Sequence, residues 1–152
     1  MPFSQKHLIT VGISLVLSVL ATSCSESKVS QCNRLIGVAN KTAEEVQTIT
    51  STGNSKDLAT QQKLAATADQ AKAAMTNLKL SDETLQGFQQ RFVTMYDSIS
   101  KSINQLVQAV GANNSRTAEQ AFKDLQTSTG QEKPLVDEVN AYCGGATPRS
   151  PQ

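Results

Sequence analysis

The sequence has no tryptophan, and only 4% of its residues are aromatic. A core built from it must rely on leucine, isoleucine, valine and many alanines. Alanine contacts bring helices close together but bury little area each. Histidine is almost missing as well. The single one, His7, falls in an N-terminal segment read below as a removable export signal, so the mature chain carries none. A di-metal bundle of the usual kind needs Glu-x-x-His pairs. Covalent haem needs Cys-x-x-Cys-His, and Ser-His-Asp or Cys-His catalysis would lack its base. There is no glycine-rich phosphate loop, since Gly144-Gly145 precedes a tail rather than a helix. An excess of one charge is also lacking. Without Lys6 the chain has thirteen basic against thirteen acidic side chains, and no basic run. This balance argues against nucleic acid as a partner. The expectation from these absences is a protein with no cofactor, no metal and no enzymatic activity.

What is present begins with a short apolar run, Leu8 to Ala21, behind Lys6. At about 14 residues it is too short for a membrane span, which needs roughly 20. A basic start, a short apolar centre and small residues behind it make an export signal. The run closes with Leu20-Ala21-Thr22-Ser23-Cys24. Here the sequence resembles the lipobox of bacterial lipoprotein signals, with Ala21 where that family usually has leucine. The resemblance covers residues 1–24 only. It implies that the Ser23–Cys24 bond is cut and that the Cys24 thiol carries a diacylglyceryl group, so that membrane lipid is a partner through Cys24. The mature protein would then be lipid-anchored on the periplasmic or extracytoplasmic side of a bacterial membrane. Ala21-Thr22-Ser23 also fits an ordinary signal peptidase, which leaves a secreted soluble protein as the alternative. Three cysteines, Cys24, Cys32 and Cys143, are odd for an exported chain. Lipidation of Cys24 leaves an even pair.

Past the signal, residues 24–30 read as a lipidated terminus and polar tether, 31–145 as one helical domain, and 146–152, with two prolines, as a disordered tail. The longest periodic stretch runs from Asp82 to Val110. Leu85, Phe88, Phe92, Met95/Tyr96, Ile99, Ile103, Leu106 and Val110 recur by threes and fours, one stripe on a long helix. A first helix is expected from Val29 or Ser30 to Thr50, with Ser30 as N-cap. A second is expected over Lys56 to Leu78, with Leu58, Leu64/Ala65, Ala68, Ala71 and Met75 on its seam and a polar Gln61 among them. Ser81 is the expected N-cap of the long helix and Gly111 its left-handed C-terminal cap. A fourth helix starts near Ser115 or Arg116. Its expected stripe is Ala118, Phe122, Leu125, Thr129, Glu132, Val136, Val139 and Cys143, with a kink or break between Ser128 and Lys133 around Pro134.

The fold class expected is all-α, an up-down-up-down four-helix bundle; the alternative is three helices with a broken fourth. In the bundle, the first turn of helix one and the last turn of helix four share an end, which predicts a Cys32–Cys143 disulfide in an oxidising compartment. The plan (anchored signal, similar length, four helices) resembles the small helical lipoproteins that attend photosystem II in cyanobacteria. No residue motif supports that link and no site is carried over. Adjacent acidic pairs, Glu44-Glu45, Asp82-Glu83 and Asp137-Glu138, diverge on a helix and are read as solvated faces and helix-start charges. Two functions remain in view. One is a non-enzymatic accessory, scaffold or protein-interaction module. The other is a small-ligand module with an apolar pocket between helices, lined by Phe88, Phe92, Met95, Phe122 and Met75. The bland reading of those five is core filling.

Overall fold

The computed structural model describes residues 26–54 and 57–144. The segment read as an export signal, Cys24 and the segment read as a tail lie outside the described residues. Five helices follow in chain order: α1 (Lys28–Thr52), α2 (Leu58–Thr76), α3 (Glu83–Gly111), α4 (Ser115–Thr129) and α5 (Glu132–Gly144). No strand occurs among the described residues. The last two helices form one limb, so the architecture is a four-limbed antiparallel bundle. α3, about 43 Å long at ~1.5 Å per residue, packs against every other helix, above all α2 and α4.

The last limb breaks within the window that the sequence marks. Gly130 and Gln131 separate α4 from α5. Pro134 then sits in the first turn of α5, where a missing amide costs nothing. Its ring could not follow a continuous helix, because it would meet the Gly130 carbonyl. The limb nonetheless stays in the bundle, with α4 on α3 and α5 on both α1 and α3.

Each cap is displaced by a residue or more from its expected place. Ser27, not Ser30, caps α1 by accepting from the Ser30 amide at 3.2 Å. Asp82, not Ser81, caps α3 by accepting from the Leu85 amide at 2.9 Å. Behind α3 the left-handed residue is Asn113, at φ 53°, rather than Gly111. Asparagine enters that region more readily than most residues other than glycine.

α1 also starts inside the stretch expected to be a free tether. Glu26 is bound to the domain. Ser30 Oγ donates to its carboxylate at 2.6 Å, Gln31 Nε2 donates to its carbonyl at 3.0 Å, and Arg34 pairs with its side chain.

At this closed end the bundle is cross-linked. Cys32 and Cys143 form a disulfide with Cα atoms 5.9 Å apart, normal spacing for such a bond. Around it lies the core of Leu35, Met75, Leu85, Phe92, Leu135 and Val139, each at most 2% exposed. The opposite end is looser. Val110 and Leu58, expected on the seams, are exposed there. The buried positions of the last limb are Ala121, Ser128, Leu135, Val139 and Cys143. In α4 this seam is rotated from the expected one, and Phe122 is left 49% exposed. On α3, Ser102 and Ala109, seven residues apart on one face, are buried, and Ser102 lies beside Ser128 of α4. Small residues at these positions let α3 and α4 pack closely, and a phenylalanine has little room in such a contact.

Candidate functional site

The five residues expected to line one pocket are not brought together. Phe88, Phe92, Met95 and Met75 belong to the buried core cluster, packed by neighbours on three sides of α3. A long helix at the centre of a bundle turns its large apolar side chains into the core, which explains why they fill space rather than leave it. Phe122 lies elsewhere. It is on the wall of a cleft of about 580 Å³ at the open end of the bundle.

This cleft is the space left between α1 and the splayed α4, with α2 and α3 beneath. Val46 from α1, Leu64 from α2, Ile99 and Ile103 from α3, and Phe122 and Leu125 from α4 supply apolar walls. Thr42, Gln61, Gln126 and Glu132 add polar groups. Two local features hold it open. The Gly130–Gln131 break redirects the last limb, and the short side chain of Ala68 on α2 leaves space at the floor.

Tyr96 is the most unusual lining residue. Its ring stacks on Phe92 with centroids 6.0 Å apart, so its orientation is set by the core. The side chain is only 3% exposed, yet no protein group completes a hydrogen bond to its hydroxyl. Nearby Thr42 donates its own proton to the Val38 carbonyl at 2.9 Å. Burial, opposed slightly by Thr42 and aided by the Glu132 charge, pushes the phenol up to about 12. The hydroxyl therefore keeps its proton throughout the neutral range, and beyond the weak influence of the Thr42 oxygen it meets no hydrogen-bond partner among the described residues. A buried polar group left this way costs about 1–3 kcal/mol. The only other such atom among the described residues is Arg34 Nε, and that guanidinium is already held by Glu26 and the Lys79 carbonyl through Nη2.

The acidic pairs go to separate partners. Asp82 caps α3 and accepts from the Tyr142 hydroxyl at 2.9 Å. Glu138 receives both arms of Arg91, at 2.5 and 2.8 Å, while Asp137 pairs with Lys133. Glu45 faces Lys41. No group of three metal-ligating side chains gathers among the described residues. Nor is any described helix long and apolar enough to cross a membrane.

The aromatic ladder Phe88, Phe92, Tyr96 was visible as an i, i+4, i+8 repeat, and its last member reaches the cleft. The other lining residues gave no signal of their own, because each is an ordinary seam or flank residue until the splay of α4 is known. No family model matches the chain, and the comparisons with curated proteins and with solved structures likewise find no match.

Proposed function

We propose that this chain is a membrane-anchored extracytoplasmic lipoprotein that acts as a non-enzymatic accessory or interaction module. The observation that carries the reading is the polarity of the bundle. The chain enters at the end closed by the disulfide, and Glu26, two residues beyond Cys24, is already bound to α1. A lipid on Cys24 would hold this closed end against the bilayer. Four of the five large apolar side chains exposed among the described residues (Val46, Leu58, Val110 and Phe122) lie in the opposite half, facing away from it. Exposed apolar surface concentrated at one end is the usual mark of a contact site.

The test combines two measurements on cells. Intact mass of the native protein reports the Cys24 modification, and an unmodified terminus would sink the anchor. Photo-cross-linkers placed at Phe122 and, as a contrast, at Lys79 in the α2–α3 connection report contacts. A near-stoichiometric partner captured from Phe122 and not from Lys79 supports the module. Capture from Lys79 alone would reject the distal contact surface.

A second reading, a small-ligand binding module, is favoured by the cleft and by the unanswered Tyr96 hydroxyl. Phe92→Ala cannot separate the two readings, because Phe92 is 1% exposed and its loss reports on the core. Substitution at Val46, on the exposed rim of the cleft, takes over that role.

A further inference from the structure

We infer that the cleft between α1 and α4 takes a neutral, largely apolar molecule with one acceptor oxygen, a carbonyl or an ether, that receives the Tyr96 hydroxyl proton. The inference rests on the ligand-binding reading above and names the class of ligand.

Three observations carry it. The volume, about 580 Å³, falls within the range of small-molecule sites, and the mix of apolar walls with a few polar groups is what such sites have. The Tyr96 hydroxyl is buried among the lining residues, held in place by the Phe92 ring, and has no protein acceptor. A fixed donor at the floor of an apolar cleft selects a molecule that brings an acceptor, because any other occupant leaves the donor unanswered. The charge pattern narrows the class further. Glu132 is the only charged residue among the described residues that line the cleft, and it acts on Tyr96. An anionic head placed at the hydroxyl would face that carboxylate and be repelled by it. A full positive charge would have to leave water for the Leu64, Ile99 and Ile103 walls.

The probe is Nile red, a neutral aromatic dye with one ring carbonyl that brightens in apolar sites. The protein is the mature chain exported with Cys24→Ser, so that no acyl chain competes. The expected result is saturable one-to-one binding. Val46→Trp, which fills the rim from an exposed helical position, should weaken it at least about tenfold. Tyr96→Phe should weaken it about three- to tenfold, the range of one neutral hydrogen bond, while thermal unfolding stays at or above that of the parent chain. The anionic dye 8-anilinonaphthalene-1-sulfonate should bind at least about tenfold more weakly than Nile red, given the carboxylate.

Absence of saturable binding, or binding untouched by Val46→Trp, would overturn both this inference and the ligand-binding reading. Binding that responds to Val46→Trp but not to Tyr96→Phe would leave the ligand-binding reading standing and overturn recognition through the hydroxyl. A preference for the anionic dye would overturn the neutral class.

Discussion

Gln31 shows how one buried polar side chain can join three parts of the chain. It is 3% exposed and has partners for both ends of its amide. Nε2 donates to the Glu26 carbonyl and to Ser81 Oγ, each at 3.0 Å, and Oε1 accepts from the Ser81 and Asp82 amides at 2.7 and 3.0 Å. The two amides lie at the entrance of α3, where backbone donors lack helical acceptors. Gln31→Ala would remove their acceptor at a half-buried site and leave a gap where the amide packs. It should lower unfolding free energy in urea by about 2–3 kcal/mol, while an alanine at exposed Gln62 should change it little. Asp82, next in this network, makes stability depend on pH. The Leu85 amide holds its carboxyl below the usual carboxylate range, helped by the Tyr142 hydroxyl, the Thr84 amide and Lys28, and opposed by burial. The folded form therefore binds that proton less readily than the unfolded chain. Its contribution is complete above the ordinary value of 3.8 and is lost as pH falls through the lower folded value. Asp97 and Glu138 are lowered too, by Lys101 and Lys72 and by Arg91. Asp82→Asn, which keeps a capping oxygen, should therefore flatten the acid side of a stability-against-pH curve without abolishing its slope.

The four limbs, their order and the interruption near Pro134 were legible because each leaves a mark within a few residues: a threefold–fourfold stripe, a cluster of turn residues, a proline. The Cys32–Cys143 bond was legible because up-down topology puts the two seams at one end. What escaped depends on distances between helices. Phe122 looked like a seam residue since large apolar side chains usually are. Only the burial of small residues along the α3–α4 contact, Ser102 and Ala109 on α3 and Ala121 and Ser128 on α4, turns it outward. Gln31 escaped for a related reason: its partners lie 50 residues away in the α2–α3 connection. The cleft could not be read for the same cause, although its Tyr96 floor belonged to a visible repeat. Between α1 and α2 the controlling contact lies at the connection. A Cβ added at Gly53 would lie 2.7 Å from Thr60 Oγ1 and 2.9 Å from the Ile49 carbonyl. Gly53→Ala should push the two helices apart, with a loss of about 1–3 kcal/mol by chemical denaturation. Gly87→Ala, with open space around its Cβ on exposed α3 surface, should be neutral or stabilising by that same measurement.

The molecule as a whole is tied at one end and loose at the other. The closed end has the disulfide, the Gln31 network, the Tyr142–Asp82 contact and Lys28 Nζ 3.4 Å above the Tyr142 ring. The open end has exposed apolar side chains and the cleft. Amide exchange should follow this gradient, with slow exchange around Leu35, Phe92 and Val139 and faster exchange in α4. Equal protection of α4 and α5 would contradict it. Replacing both Cys32 and Cys143 with serine should lower stability by about 4–5 kcal/mol if the entropy of a loop this long dominates, measured by urea unfolding against the oxidised chain. The position of that bond also decides how the protein carries a mechanical load. Tension applied between Glu26 and Gly144 runs a few residues along α1, across the two sulfur atoms, and out through the last turn of α5. The 111-residue separation between the cysteines lies off this path. About 380 Å of chain, at ~3.4 Å per residue, is thus hidden from a pull on the two ends. It would be released only after reduction, so an anchored molecule could be tugged from its far terminus with α2, α3 and α4 remaining slack.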